Sequence, residues 1–271
     1  MNWTSKPLST VVVLIVAFAC FGCSSLSSQK IHDASEIGDL SQIKLLLQNG
    51  ANINSTDNRG RTPLYIAAGG GKSNLVSYLL EHGADPNKGA SWKGNQMPIH
   101  VAAMYGHVEI IQDLLRHGAK IDACTTAGES ALHYAAQYGR SAAVKFLLKE
   151  GANPNATDIL GWTPLYFRFS PQNVGVLDGA TGGPFASNFK EVAVLLVSAG
   201  GDINATAETP KGYTPLMAAC AVAPTEVVDY FLSKGANAEA KTQTGATAST
   251  IAQARDRSDV LELLKKATHE K

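Results

Sequence analysis

The side chains best suited to chemistry in this chain are its histidines, and their spacing decides which reactions they could support. His82 and His117 recur at equivalent positions, as do His100 and His133. A zinc site needs several such ligands at short spacing, and a nucleophilic site needs a serine or cysteine paired with a base. No two histidines have metal spacing with a carboxylate, and the chain has no G-x-S-x-G motif. The sequence therefore predicts a protein that is not an enzyme and that needs no metal or other cofactor.

The composition is that of a neutral folded domain. Lys plus Arg total 23 and Asp plus Glu total 23, so the formal net charge is zero. Hydrophobic residues make up 45% of the chain, which is enough to supply a packed core. Proteins that bind nucleic acids carry a basic surface for the phosphates. The charge balance therefore argues against a nucleic-acid partner.

The cysteines near the N-terminus lie at the end of an apolar stretch. Lys6 precedes the twelve-residue run VVVLIVAFACFG, Val11–Gly22. A helix that spans a bilayer needs about 20 residues, so this run is more typical of an export signal. The stretch FGCSS resembles the lipobox of bacterial lipoproteins, in which the cysteine is acylated and becomes the new N-terminus. We expect a signal peptide at 1–22, acylation of Cys23 and a short tether at 23–30.

Other interpretations of this N-terminus stay open. Cys20, in AFAC, is the alternative acylation site, and a plainly cleaved signal or an uncleaved anchor is also compatible with the run. In diderm bacteria the resemblance implies outer-membrane transfer, because Ser24 rather than Asp follows the cysteine. The expected location is the bacterial outer membrane, facing the periplasm, with membrane contact through the lipid only.

Repeats fill the rest of the chain. GRTPLYIAAGGGKSNLVSYLLEHGADPN (60–87) aligns with GESALHYAAQYGRSAAVKFLLKEGANPN (128–155), and each unit is about 33 residues long. Within each unit, Thr–Pro is typical of a helix start, and paired alanines make a thin first helix. The spacing of apolar residues predicts a second helix, and a glycine lies where its left-handed C-cap is expected. One helix pair cannot bury its own apolar side, whereas stacked pairs can.

These units resemble ankyrin repeats, and the resemblance covers nearly all of the chain after the tether. It implies an all-α solenoid of stacked helix pairs joined by β-hairpin loops, with about seven units including two caps. The domain is expected at 31–267, with units near 31–57, 58–92, 93–125, 126–158, 159–209, 210–242 and 243–267. Cys124 and Cys220 fall in separate units, so both are expected to be unpaired.

The fifth unit departs from the frame by an insertion at 170–188. Its Gly, Pro, Ser and Asn residues predict a surface loop. Long loops in compact domains often carry function, but simple growth of an exposed turn explains the insertion equally. Both interpretations stay open.

The resemblance implies a protein-binding face formed by the hairpin tips and the exposed ends of the first helices. Aromatic residues and arginine, which dominate binding hot spots, recur at these positions. The residues expected to contact a partner are Asn58, Arg59, Arg61, Trp92, Lys93, Gln96, Met104, Tyr105, Glu129, Gln137, Tyr138, Leu160, Trp162 and Tyr213. The alternative is that some of these rings pack against their own hairpins.

The expected function is a non-catalytic protein-interaction module, monomeric and tethered by lipid in the cell envelope. Similar bacterial ankyrin proteins neutralise toxins or protect exported enzymes, and nothing in the sequence chooses between the two. The alternatives are a structural envelope scaffold, and a cytosolic ankyrin regulator with an uncleaved leader.

Overall fold

The computed structural model describes residues 30–166 and 188–269, which form thirteen α-helices and two short 3-10 helices. The α-helices are α1 (30–37), α2 (Leu40–Gln48), α3 (Pro63–Gly69), α4 (Ser73–Glu81), α5 (Pro98–Tyr105), α6 (Val108–Arg116), α7 (Ala131–Gln137), α8 (Ser141–Lys149), α9 (Phe189–Ser198), α10 (Pro215–Val222), α11 (Thr225–Ser233), α12 (Ala248–Ala254) and α13 (Ser258–His269). The 3-10 helices are Ser91–Lys93 and Pro164–Tyr166.

Three predicted features lie outside the described residues. They are the signal peptide with Cys20 and Cys23, nearly all of the tether, and nearly all of the insertion at 170–188. Across 30–166 and 188–269, no helix combines the length and the apolar character needed to cross a membrane.

The first helix of a unit begins where the Thr–Pro pair predicts. The hydroxyl of Thr62 accepts the backbone N–H of Tyr65 at 3.1 Å, and Thr214 caps α10 in the same way. Proline in the first turn gives up no hydrogen bond, because that N–H has no partner within the helix. In the fifth unit the same pair starts the 3-10 helix Pro164–Tyr166, where the described stretch 30–166 ends, and within the described part of the chain the buried hydroxyl of Thr163 has no hydrogen-bond partner.

The helices form two layers around a main hydrophobic core, with a smaller separate cluster around Tyr166. In the inner layer α3, α5 and α7 contact one another in order, and the turn Pro164–Tyr166 connects α7 to α10, which contacts α12. The outer layer runs through α4, α6, α8, α9, α11 and α13. The paired alanines of the inner helices, such as Ala102 and Ala103, are fully buried, so neighbouring inner helices pack closely. The all-α solenoid predicted from the sequence is confirmed.

The loops between units are tighter than β-hairpins with paired strands. The described residues contain no strand, only three isolated bridges, such as the one between Ala90 and Gln96. Successive loop tips are joined by one or two backbone hydrogen bonds, for example from Thr126 N–H to Gly94 O at 2.7 Å. The loops therefore stack on one another as a row of turns.

Asparagine side chains join neighbouring units by hydrogen bonds between the loops that follow their second helices. The side chain of Asn87 donates to Gly118 O at 2.9 Å and accepts from Lys120 N–H at 3.0 Å. Each bond pairs a backbone group of the loop that follows the second helix of the next unit. The same pair of bonds is made by Asn54, Asn155 and Asn204.

Asp122 interrupts this row, and its replacement should stabilise the protein. Its carboxylate accepts from Asn153 N–H at 3.2 Å but cannot donate to the carbonyl of Gly151. We expect Asp122→Asn to raise the free energy of unfolding by about 1 kcal/mol, because it adds one hydrogen bond. The reciprocal change, Asn87→Asp, should lower it by a similar amount. Urea unfolding followed by circular dichroism measures both, and equal effects of the same sign would contradict the prediction.

Candidate functional site

A groove of about 700 Å³ lies on the inner face of the first four units. Helices α3, α5 and α7 form its floor, and the loop tips form one wall. Nine predicted contact residues line it: Arg61, Trp92, Lys93, Gln96, Met104, Tyr105, Glu129, Gln137 and Tyr138. The lining also includes Glu36, Tyr65, Ile66, Gly69, Gly70, Val101 and Tyr134, which sequence reasoning missed. The alignment of the repeats includes all of these positions, but it does not indicate which side chains of the inner helices reach the groove.

Trp92 forms the exposed rim of the groove. It lies in the 3-10 helix Ser91–Lys93, which the lengthened loop GASWKGN creates, and it is 50% exposed. The guanidinium of Arg59 lies 5.4 Å from the centre of its ring, and Nζ of Lys93 lies 4.7 Å away. Cation–π contacts of this kind contribute about 0.5–1 kcal/mol at exposed sites. Together they hold a large aromatic surface in a defined place without burying it.

Arg61 closes one end of the groove through two ion pairs. Its Nε lies 2.8 Å from Asp57 Oδ2, and a terminal nitrogen lies 2.8 Å from Glu36 Oε1. Burial alone would raise the pKa of Asp57, but hydrogen bonds from Arg61 and Arg59 outweigh burial and lower it. The guanidinium is therefore engaged within its own chain.

Gln96 belongs to a buried hydrogen-bond network under the groove. It is only 3% exposed and accepts from the hydroxyl of Tyr65 at 2.5 Å. Its side chain also hydrogen-bonds Tyr134, whose hydroxyl donates to Glu129 Oε2 at 3.0 Å. Burial raises the pKa of Tyr65 to about 12, and burial and then Glu129 raise that of Tyr134. Gln96 was expected among the exposed contact positions and instead supports the floor.

Arg140 supports the floor at the far side of the groove. Its Nε donates to Met104 O at 3.0 Å. Burial lowers its pKa, and the nearby hydroxyls of Tyr105 and Tyr138 act in the opposite direction. The arginine thus fixes the end of α5 under two rings that face the groove.

Trp162 and Tyr213 lie in a second aromatic cluster and do not line the groove. The Trp162 ring stacks on Tyr166 and Tyr213 with centroid separations of 5.4 and 6.0 Å, and its Nε1 donates to Thr209 O at 2.9 Å. Leu160, which is half-buried, also lies outside the groove lining. At these positions the rings pack against one another, and Trp162 also bonds the loop of the next unit.

The histidines have structural partners. His100 Nδ1 accepts from Met97 N–H at 3.0 Å, and its Nε2 lies 2.8 Å from Ala123 O. His133 makes the equivalent contacts with Ser130 and Trp162. Within the part of the chain that the structure describes, no three His, Cys, Asp or Glu side chains form a group able to hold a metal ion.

The two cysteines of the repeat region are free, as expected. Cys124 is exposed and Cys220 is buried in α10. Burial raises the pKa of Cys220 to about 12, so this thiol remains protonated at neutral pH. A protonated, enclosed thiol is a poor nucleophile.

Known proteins similar to this chain share its repeats. The family described as ankyrin repeats (3 copies) matches residues 31–123, 99–167 and 185–271. The crystal structure of the human ASB11 ankyrin repeat domain superposes with a TM-score of 0.71 at 25% identity, and the match covers 88% of this chain and 96% of that one.

Curated relatives match over shorter segments. The chain is 43% identical to human DNA-binding protein RFXANK over 65 residues, which is 24% of this chain and 25% of that protein. It is 42% identical to human protein phosphatase 1 regulatory subunit 27 over 55 residues, 20% of this chain and 36% of that protein. The chain thus spans about a quarter to a third of these relatives. Because the family match extends over most of its length, the chain belongs to the ankyrin-repeat family.

Proposed function

We propose that this protein is an exported, lipid-tethered module that binds a protein partner in the groove around Trp92 and performs no chemistry itself. The partner would be an incoming toxin or an exported enzyme that needs protection. The observation that carries the proposal is the exposed Trp92, held by Arg59 and Lys93 at the edge of a groove lined with tyrosines. Ankyrin-repeat proteins are protein-interaction modules, which supports this use of the groove.

The groove has the features of a protein-binding surface. Trp and Tyr present large, rigid contact areas, and residues of this kind dominate the energetics of interfaces. The rings of Tyr105 and Tyr138 line the groove next to Met104, an adaptable apolar side chain. The network of Tyr65, Gln96, Tyr134 and Glu129 holds the floor in place before binding, so less side-chain entropy is lost when a partner docks.

A crosslinking pull-down from the native envelope tests the binding surface. We expect the native protein to enrich one partner and Trp92→Ala/Tyr138→Ala to lose it, because two aromatic contacts of the groove are removed. The matched control is Tyr78→Ala/Tyr230→Ala, since these two half-buried tyrosines lie on the outer helices α4 and α11. Equal recovery by the groove variant and the native protein would exclude the groove as the contact surface.

The tether is tested separately by labelling cells with a radioactive fatty acid. We expect the protein to be labelled and to fractionate with the outer membrane, and Cys23→Ser to abolish both. Loss of label in Cys20→Ser but not in Cys23→Ser would move the acylation site to Cys20. Absence of label in the native protein would leave a cleaved soluble form or a cytosolic regulator.

A further inference from the structure

The carboxylates of the groove are already engaged by groups of the same chain. Glu36 is paired with Arg61 at 2.8 Å, and Glu129 accepts a hydrogen bond from Tyr134 at 3.0 Å. Asp57, beneath the rim, accepts from Arg61 and from the backbone of Arg59. The charge of Glu36 is thus balanced by an ion pair, whereas Glu129 keeps its charge because its tyrosine partner is neutral.

The cations around the groove are arranged differently. Among the described residues, neither Arg59 nor Lys93 has a carboxylate partner; both are exposed and lie over the Trp92 ring. Lys72 lies beside the floor, with its Cε 3.5 Å from where a Cβ on Gly70 would be, and it too has no ion pair among these residues. The charges that the Trp92 rim offers to a partner are thus positive.

The floor between these cations is apolar and open. Gly69 and Gly70 lack side chains, and a Cβ on Gly69 would lie 2.9 Å from Val101 Cγ2. Val101, Met104 and Tyr105 line the groove next to them. Val101 thus packs directly on Gly69, and because neither glycine has a side chain, this part of the floor presents backbone and the apolar side chain of Val101 to a partner.

We propose that the partner inserts an acidic segment in which carboxylates flank an apolar or aromatic side chain. The carboxylates pair with Arg59 and Lys93 at the rim, and the apolar side chain packs on Gly69, Met104 and Tyr105. Complementary charge of this kind steers association and fixes the orientation of the bound segment. The inference rests on the proposed function, because it assigns a chemistry to the occupant of that same groove.

A random peptide library displayed on phage, selected on the immobilised protein, tests this chemistry. We expect the enriched peptides to carry Asp or Glu beside an apolar residue, and to compete with one another for the groove. The strongest of them is then synthesised, and its affinity is measured by calorimetry for the native protein and two variants. Arg59→Glu/Lys93→Glu should weaken binding by about tenfold or more, since attraction becomes repulsion.

The control variant carries the same change in net charge elsewhere. Lys145→Glu/Lys149→Glu alters two exposed lysines on α8, in the outer layer, and should leave the affinity unchanged. Enrichment of basic peptides, or equal weakening by both double variants, would overturn the inference. In that case the proposed function would still hold if the selected peptides bound Trp92→Ala/Tyr138→Ala more weakly than the native protein. Peptides indifferent to every groove variant would count against both.

Discussion

Acidification from about pH 7 to pH 4 should lower the free energy of unfolding by about 3 kcal/mol through His100 alone. The ring is fully buried between α5 and the next loop, and its burial lowers the pKa from 6.5 to about 4, against the effect of its bonds to Ala123 and Met97. Nδ1 accepts from Met97 N–H, so the neutral ring donates from Nε2 to Ala123 O. Each tenfold change in proton affinity corresponds to about 1.4 kcal/mol.

The sign of this pH dependence follows from whether the folded or the unfolded chain binds more protons. Above pH 6.5 the imidazole is neutral in both states and contributes no pH dependence. Between pH 6.5 and 4 the unfolded chain takes up a proton that the folded chain does not, so stability falls as the pH falls. Below pH 4 both states are protonated and the loss is complete.

Urea unfolding at several pH values, compared with a variant that cannot titrate, measures this loss. At pH 7 His100→Gln should be less stable than the native protein. Between pH 7 and pH 4, however, its free energy of unfolding should fall by about 3 kcal/mol less than that of the native protein. Ile99→Val, in the same helix, is a control that lowers stability by about 1 kcal/mol without removing a titratable group. It should keep the full pH dependence. A native pH dependence in His100→Gln would show that this ring is not the source.

The repeat architecture could be predicted because the start and the end of each helix require particular residue types for physical reasons. Thr62 with Pro63 starts a helix, since the hydroxyl caps the helix and the ring suits its first turn. Gly118 and Gly151 end helices in the left-handed region, with φ of +87° and +94°. Such requirements act within a few residues, so one sequence is enough to place them.

The candidate site could be predicted only in part, because it depends on which neighbour each side chain meets. Gln96 and Trp92 both flank the same loop, but Gln96 turns inward to Tyr65 whereas Trp92 remains outside. Trp162 and Tyr213 occupy the position of Gln96 in their own repeats, and both of their rings stack with Tyr166. These outcomes are set by contacts between units, which a frame alignment does not contain.

The row of stacked loop tips should be sensitive to substitution at Gly128. Its φ is +78°, and a Cβ there would lie 2.9 Å from both the Cα of Asp158 and the backbone N of Ile159. We expect Gly128→Ala to lower the free energy of unfolding by about 3 kcal/mol, because left-handed strain of about 1 kcal/mol adds to a clash with backbone that cannot rotate away. Relief of the clash would separate the two loops and weaken the bond from Ile159 N–H to Ala127 O, now 3.0 Å.

Comparison with Gly118→Ala separates the left-handed backbone strain from the steric clash at Gly128. Gly118 has a φ of +87°, and nothing lies within 4 Å of the place where a Cβ would stand, so Gly118→Ala carries the strain alone and should cost about 1 kcal/mol. Thermal and urea unfolding of both variants give the difference, which measures how tightly successive loop tips are stacked. Because Gly128 precedes Glu129 at the wall of the groove, Gly128→Ala should also weaken partner binding, whereas Gly118→Ala should not. Equal losses of stability in the two variants would mean that neighbouring loops can move apart without cost. A bound partner could then shift the wall of the groove that these loops form.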